Sequence, residues 1–454
     1  MKYFTFTQQF TPPFNSVSLY KQISKDESYS FLFESAQYHE KKGRYTFIGA
    51  TAQRVFEAPA NGPINFFEKI KDEIASMKSE FSEANTNFPH APSLFGYISF
   101  EAARFIEGVK MHEAKSTIPD AILFLPSLYI VIDNTKNELT IHATSTEILK
   151  KCKTILKRIL ENSTEYNYRE NASPFQANLT EFDSAKIPLK HSEGFKKAFI
   201  KAKEHIAAGD LMQLVISQQL KAESKKSSVE LYELLKELSP SPYQYLMIFP
   251  KFSIIGSSPE TLVKVKNKTV TTCPIAGTRP RGSTIAEDAM YTNELLIDEK
   301  ERAEHAMLLD LGRNDLGKVC ISKSVHVTRI CDLEKFSTVM HLVSEVRGTL
   351  ENDKDCIDAF TACFPAGTLS GAPKKRALER IIELENTPRG IYGGAVGYID
   401  IAGSMDFAIA IRTMLHTGTT VHLQAGAGIV ADSIAENEDT ECRNKMKAPF
   451  CSTI

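Results

Sequence analysis

Two pairs of glutamates, each separated by three residues, are the positions of this sequence best suited to chemistry. Glu301 and Glu304 lie in a stretch that has no glycine or proline before Gly312, and Glu438 and Glu441 lie near the C-terminus. Both stretches predict helices, on which residues three apart share a face. Carboxylates paired in this way suit a hard cation such as Mg²⁺, although solvated helix faces with neighbouring lysines would show the same spacing.

A glycine-rich segment and one arginine indicate the opposite chemistry, the binding of an anion. Gly426, Ala427 and Gly428 have side chains small enough for backbone N–H groups to approach a carboxylate. Arg412 stands among apolar residues, where a guanidinium requires an anionic partner. The alternatives are a close-packed strand for the glycines and a structural salt bridge for the arginine.

The composition limits the class of protein. The chain has 454 residues, of which 42% are hydrophobic and 24% charged, and its net charge of -2 gives no electrostatic case for binding nucleic acid or an anionic membrane. No apolar run approaches the roughly 20 residues of a membrane span, and the N-terminus does not resemble a secretory signal. The eight cysteines show no regular spacing. We therefore expect a cytoplasmic protein with reduced thiols.

The elements that must position these residues are grouped as runs of strands with helices between them. Strands are predicted within 1–58 and at 121–134, 138–144, 211–223, 245–272, 393–401, 405–416 and 419–430, and helices at 64–81, 146–161, 192–208, 229–238 and over both acidic stretches. Such grouping favours an α+β fold with largely antiparallel sheets. The polar stretch 166–190 is expected to link an N-terminal portion, 1–165, to a second domain, 191–454.

Six motifs follow one another in the second half of the chain. They are PIAGTRPRG (274–282), EHAMLLDLGRNDLGKV (304–319), VMHLVSEVRG (339–348), GTLSGAPKKRA (367–377), IYGGAVGY (391–398) and QAGAGIVADS (424–433). In this order they resemble the chorismate-utilising enzymes, and among them the large aminating subunits (component I) of anthranilate synthases. The resemblance is strong from Ser192 to Ala448 and looser before. It implies an anthranilate-synthase-type fold, with the sheets packed as an α/β sandwich and helices outside.

The resemblance implies a magnesium-dependent lyase that acts on chorismate, a small dianion. Glu304 and Glu441 would be the first-choice Mg²⁺ ligands, with Glu301 and Glu438 acting through water. The metal would bridge the ring carboxylate and assist loss of the C4 hydroxyl. The residues that the resemblance assigns to substrate binding are Gly277, Thr278, Tyr392, Arg412, Gly426, Ala427, Gly428 and Lys445, with Tyr392 and Arg412 on the enolpyruvyl carboxylate.

Three further residues would serve catalysis. His341 is the expected base for the ring C2 proton, although a lone histidine among apolar residues is often a core residue. Thr368 would lie near the ring, or else bond to its own backbone in a turn. Gln213 stands where water-using relatives carry a lysine base, and a neutral amide cannot deprotonate water, so ammonia is the expected nucleophile.

The resemblance therefore predicts the large subunit of an anthranilate synthase, which makes anthranilate and pyruvate in tryptophan biosynthesis. The alternatives are an aminodeoxychorismate synthase component I, disfavoured because Ala276 replaces its attacking lysine, and a non-catalytic ligand-sensing relative. The chain shows no glutamine amidotransferase signature, so a separate subunit, component II, is expected to supply ammonia.

Feedback inhibition by tryptophan is the last property that the resemblance implies. The motif FLFESA would place Glu34 and Ser35 against the inhibitor, with Pro242, Tyr243 and Gln244 on the opposite wall. The alternative is a plain strand end with an exposed glutamate. The chain contains no tryptophan, which suits a protein that must be translated when tryptophan is scarce.

Overall fold

The computed structural model describes residues 2–12, 14–35, 43–60, 62, 65–82, 87–111, 116–162, 182–189, 192–335 and 339–454. Its strands are β1 (Phe4–Gln9), β2 (Ser30–Glu34), β3 (Tyr45–Ala58), β4 (Ser93–Ile98), β5 (Ala121–Asp133), β6 (Glu138–Ala143), β7 (Gln213–Glu223), β8 (Tyr243–Ile248), β9 (Ser253–Ser258), β10 (Thr261–Lys266), β11 (Thr269–Thr272), β12 (Ile275–Pro280), β13 (His326–Lys335), β14 (Val339–Thr349), β15 (Gly371–Ala372), β16 (Ala395–Asp400), β17 (Met405–Ile409), β18 (Thr413–Thr417) and β19 (Thr420–Ile429).

The helices lie between these strands. They are α1 (Ser16–Ile23), α2 (Phe66–Glu80), α3 (Arg104–Glu107), α4 (Thr146–Asn162), α5 (Ser192–Ala207), α6 (Ser228–Leu238), α7 (Ile285–Ile297), α8 (Glu299–Gly317), α9 (Cys356–Cys363), α10 (Gly367–Ser370), α11 (Lys374–Leu384) and α12 (Ala435–Thr453). No helix in the described ranges is long and apolar enough to cross a bilayer.

The strand pairs of the described residues are antiparallel, which confirms the predicted α+β class. Strands from both ends of the chain join in one sheet, because β2 pairs with β8 and β4 pairs with β16. Most of the predicted linker at 166–190 lies outside the described residues, and the division into 1–165 and 191–454 stays a prediction.

The part of the fold that positions the site is a pair of sheet regions covered by two helices. Strand β7 pairs with β19 from Leu214 opposite Ile429 to Glu223 opposite Thr420, and β12 pairs with β14. Helix α8 packs on β12 and β14, and helix α12 packs on β19. Each helix carries one of the glutamate pairs, so the sheet brings the two pairs to the same side of the protein.

Local predictions differ from the structure in several places. The strand expected at 405–416 is wrong, because β17 ends at Ile409 and β18 begins at Thr413, with Arg412 in the left-handed region at φ 49°. At the end of β17 the Ile409 N–H donates to the Glu260 carbonyl, which directly precedes β10, at 3.0 Å. Helix α1 was not expected; its buried face includes Leu19 and Tyr20.

Candidate active site

Helix α8 brings Glu301 and Glu304 against the sheet. The Asp298 carboxylate caps this helix by accepting from the Glu301 backbone N–H at 3.1 Å, which fixes where the first turn begins. The Glu304 carboxylate accepts from Gln213 Nε2 on β7 at 3.1 Å. The Glu301 carboxylate accepts from Arg279 Nη1 on β12 at 3.3 Å. Both side chains therefore face strands that bear predicted site residues.

Helix α12 adds a second acidic pair and one cation. Lys445 Nζ lies 2.6 Å from Glu441 Oε1 and donates to the Gly426 carbonyl at 2.9 Å. Burial opposes ionisation of Glu441, but Lys445 outweighs it and lowers the pKa of that carboxyl. Glu438 is 4% exposed, and burial raises its pKa. The charge of Lys445 is thus shared between the acidic pair and the glycine-rich strand.

The two acidic pairs act on each other electrostatically. Burial raises the pKa of Glu304, and the charges of Glu301 and Glu441 raise it further. Among the described residues, no three His, Cys, Asp or Glu side chains converge closely enough to chelate one ion. This donor set fits Mg²⁺, which usually takes one or two carboxylates and completes its shell with water and an anionic substrate.

The glycines of strand β19 lie directly against Tyr392 and Gln213. A side chain at Gly426 would place its Cβ 2.6 Å from Tyr392 Oη, and one at Gly428 would place its Cβ 2.3 Å from Gln213 Nε2. Ala427 is fully buried in the core, so only its backbone can contribute here. The glycines are therefore required by the close approach of site residues.

Arg412 is a largely buried cation that has no ion-pair partner within the part of the chain that the structure describes. In the described ranges no carboxylate lies within salt-bridge distance of its guanidinium, whose pKa is lowered by burial and raised by the more distant Glu260. A structural salt bridge therefore does not account for its position in those ranges. The strand break therefore places a largely buried positive charge that suits an anionic ligand.

His341 on β14 faces the β12 motif. Its Nδ1 lies 3.1 Å from the Gly277 carbonyl and 3.0 Å from Thr278 Oγ1. Because a carbonyl only accepts, Nδ1 carries the proton and Nε2 carries the lone pair. Burial, followed by the charge of Arg412, lowers the pKa of His341 to about 4. The imidazole is therefore neutral at physiological pH, as a base must be.

Thr368 contacts Glu260, a residue that the sequence motifs did not indicate. Its hydroxyl donates to Glu260 Oε1 at 3.0 Å, and both residues line a small cavity of about 40 Å³. Burial raises the pKa of Glu260 to about 7, although Thr368, Lys445 and Arg412 act in the opposite direction. A carboxyl that holds its proton near neutral pH can act as a general acid.

Comparisons with known proteins agree with this arrangement. The sequence profile described as chorismate binding enzyme matches residues 25–450. The chain belongs to the family of chorismate-binding enzymes. Within this family it is 39% identical to an anthranilate synthase component 1 of Aquifex aeolicus (95% of this chain, 90% of the relative) and 38% identical to one of Acetivibrio thermocellus (95% and 91%). The crystal structure of anthranilate synthase component I from Streptococcus pneumoniae superposes with a TM-score of 0.73 at 34% identity, covering 90% of this chain and 93% of that one.

The predicted residues of this family member fall into two regions. Those brought together around α8, α12 and their strands are Gln213, Gly277, Thr278, Glu301, Glu304, His341, Tyr392, Arg412, Gly426, Ala427, Gly428, Glu438, Glu441 and Lys445, with Thr368 beside Glu260. The second region is a cavity of about 470 Å³ lined by Glu34, Ser35, Pro242, Tyr243 and Gln244. Their roles stay predictions.

The second cavity has polar and aromatic walls. Its lining includes Phe33, Phe47 and Phe88. The carboxylate of Glu34 is already engaged, because it accepts from Ser16 Oγ at 2.5 Å, Tyr232 Oη at 2.5 Å and Lys236 Nζ at 2.7 Å. A ligand ammonium would have to share Glu34 with these donors.

Proposed function

We propose that the chain is the large subunit of an anthranilate synthase, which converts chorismate and ammonia to anthranilate and pyruvate in tryptophan biosynthesis. The relatives that it matches over nearly their whole length carry that name. The observation that carries the proposal is the environment of Gln213. Its Nε2 donates to Glu304, while its Oε1 is buried with no hydrogen-bond partner among the described residues.

A buried amide oxygen suits ammonia as the nucleophile. Gln213 Oε1 can accept an N–H of ammonia and direct the nitrogen lone pair away from itself. The same oxygen is too weak a base to deprotonate water, which disfavours a hydroxylated product. Ala276 on β12 offers no amine for covalent attack on the ring. Ammonia addition at C2 is therefore the step that this site best supports.

The cations and the glycine strand would hold the substrate. Arg412 is available to pair with the enolpyruvyl carboxylate. The buried Tyr392, whose hydroxyl lies against Gly426, would be the second contact of this carboxylate. Gly426 and Gly428 leave room for the ring carboxylate to approach the backbone of β19. Lys445, between Glu441 and Gly426, would complete the neutralisation of the dianion.

Two residues would move protons. Glu260 would give its proton to the C4 hydroxyl, which leaves as water while ammonia bonds to C2. His341 Nε2 would then accept the C2 proton as the bond between the ring and the enolpyruvyl oxygen breaks, so that the ring becomes aromatic. The enolpyruvate that leaves would take up one proton at its methylene carbon and become pyruvate. Near pH 7 His341 is neutral, as a base must be, and Glu260, with a pKa of about 7, still holds its proton in about half of the molecules.

The glutamates would hold Mg²⁺, with Glu304 and Glu441 as direct ligands and Glu301 and Glu438 acting through water. Their mutual repulsion supports this assignment, because a cation between them would relieve it. Bound Mg²⁺ would supply Lewis-acid polarisation of the substrate's ring carboxylate.

A second protein and an inhibitor complete the proposal. The name component 1 of the relatives supports a partner component, which we infer to be a glutamine amidotransferase that supplies ammonia. Tryptophan is the proposed inhibitor, bound in the larger cavity, whose aromatic walls suit an indole. We place the protein in the cytoplasm.

The test is the reaction itself, with the purified chain, chorismate, ammonium and Mg²⁺. We expect anthranilate fluorescence and one pyruvate per chorismate, and no product when ammonium is left out. Gln213→Leu, which keeps the volume but removes the amide, should lose the response to ammonium. Consumption of chorismate without anthranilate would point to an aminodeoxychorismate or isochorismate product, and no consumption would point to a ligand-sensing relative.

A further inference from the structure

The small cavity beside Glu260 and the large cavity beside Glu34 share a wall. Strands β10 and β11 and the start of β12 separate them, and from Thr271 to Pro274 successive residues line alternate cavities. Thr272 and Pro274 line the small cavity beside Glu260, and Thr271 and Cys273 line the large one. Thr261 borders both cavities. A change in one cavity therefore has a physical route to the other through the first residue of β10.

Thr261 is tied to the large cavity by a chain of hydrogen bonds. The Tyr243 hydroxyl lies 2.7 Å from Thr261 Oγ1 and 2.9 Å from Asp406 Oδ1. Asp406 Oδ1 accepts from the Tyr243 hydroxyl, and Asp406 Oδ2 pairs with Lys264 Nζ at 2.7 Å. The single Tyr243 proton then goes to Asp406, and Thr261 donates to Tyr243. Tyr243, Lys264 and Asp406 all line the large cavity, where a ligand would meet them.

Thr261 is also joined by its peptide bond to Glu260, the proposed general acid. Glu260 precedes it, and the Glu260 carbonyl accepts from the Ile409 N–H at 3.0 Å. The pairing of β10 with β17 is irregular between Thr261 and Val263, which marks a β-bulge at this point. The extra residue is Leu262, while Thr261 stays paired with Ala408, so regular pairing is interrupted directly after Thr261. A pull on the Thr261 side chain would act on Glu260 through the peptide bond that joins them.

We propose that Thr261 is a positioning residue that transmits occupancy of the large cavity to the Glu260 carboxyl through its hydrogen bond to Tyr243. The inference rests on the proposed function, in which tryptophan fills that cavity. A ligand that displaces Tyr243 or competes for Asp406 breaks or redirects the Thr261 bond. Glu260 then turns away from Thr368, and turnover falls although the substrate cations are untouched. The ligand thereby favours one of two positions of the acid.

The test separates ligand binding from its effect. The chain has no tryptophan, so the fluorescence of added tryptophan reports its binding directly. Thr261→Val removes the hydroxyl at nearly constant volume, Thr261→Ser restores it, and Tyr245→Phe removes another cavity-wall hydroxyl, which bonds to Thr413 instead. Binding, kcat and KM are measured for each variant and for the parent, with thermal unfolding as the check on folding.

We expect all four proteins to bind tryptophan with similar affinity. In the parent, Thr261→Ser and Tyr245→Phe, saturating tryptophan should lower kcat about fivefold or more, the lower end of usual allosteric couplings, and in Thr261→Val less than about twofold. Full inhibition of Thr261→Val would overturn the proposal. Loss of binding in that variant would also overturn it, by making Thr261 a ligand contact. A parent that makes anthranilate but binds no tryptophan would overturn this proposal together with the inhibitor assignment, and would leave the anthranilate synthase activity standing.

Discussion

Glu260→Gln gives a test in which stability and activity move in opposite directions. The Glu260 side chain is buried, and its pKa is raised to about 7 from its usual 4.5. The folded state therefore holds the proton more tightly than the unfolded chain does. Between these two pKa values the unfolded chain ionises first, so the parent protein loses stability as pH rises from about 4.5 to 7. Glutamine has nearly the same shape but does not ionise, so this pH dependence of stability should be absent from Glu260→Gln.

The size of the effect follows from the two pKa values. Each pKa unit corresponds to about 1.4 kcal/mol, so the ionisable group costs the folded parent about 3 kcal/mol above pH 7 and under about 1 kcal/mol at pH 5. The stability advantage of Glu260→Gln should therefore grow by about 2 to 3 kcal/mol between about pH 5 and pH 8, and then level off. Its kcat should fall about 10²- to 10⁴-fold, the usual contribution of a general acid.

Urea unfolding at a series of pH values measures the free energy of unfolding of the parent and of Glu260→Gln. Anthranilate fluorescence at constant free ammonia measures their kcat. The parent should lose kcat as pH rises above about 7, because Glu260 gives up its proton, and this limb should be absent from the variant. Glu260→Asp keeps an ionisable group on a shorter chain and should retain a pH-dependent stability. A stability difference that stays flat with pH would refute the raised pKa, and full turnover of Glu260→Gln would refute the acid role.

Three further substitutions test the nucleophile position, the glycine-rich strand and the buried Glu385–Arg389 ion pair. Gln213→Lys should pair with Glu304 and slow anthranilate formation from ammonium on the order of 10²-fold, read as kcat/KM for ammonium; unchanged kinetics would remove Gln213 from the nucleophile site. Gly426→Ala should lower kcat/KM for chorismate about 10- to 100-fold, because its Cβ meets Tyr392 Oη and the Ile216 carbonyl, whereas the control Gly317→Ala, with open space around it, should behave as the parent. Glu385→Gln should lower the free energy of unfolding by about 3 to 5 kcal/mol in urea titrations, because it leaves the buried Arg389 guanidinium without its counter-ion at 2.7 Å; a change below about 1 kcal/mol would contradict this.

The helical elements of the site could be predicted because their signals are local. The predicted start of α8 agrees with its Asp298 cap, and the acidic stretch near the C-terminus forms α12. Strand β19 follows its turn as expected, since Thr417 and Thr420 flank a left-handed Gly418. Propensity, caps and turn glycines act over a few residues, so a single sequence contains them.

The features that escaped prediction depend on distant parts of the chain. AIAIRTML predicts an unbroken strand, but the Glu260 carbonyl, the Ser257 N–H and the Gly394 carbonyl take the backbone bonds around Arg412 and break it. The acidity of Glu260 depends on burial by residues of α8, α10 and β17, none of which adjoins it in sequence. Glu34 could be assigned to its cavity, but its bonds to α1 and α6 could not be foreseen.

Strand β4 is synthesised long before β16, one of the two strands with which it pairs. Gly96 pairs with Gly397, about 300 residues later, and β2 likewise lacks β8 when it emerges. At roughly 5–20 residues per second, synthesis of the missing partner of β4 takes about 15–60 s. During that interval the nascent chain presents unpaired strand edges, to which chaperones or other nascent chains can bind. The yield of this protein in a cell should therefore depend on elongation speed and chaperone supply as well as on final stability.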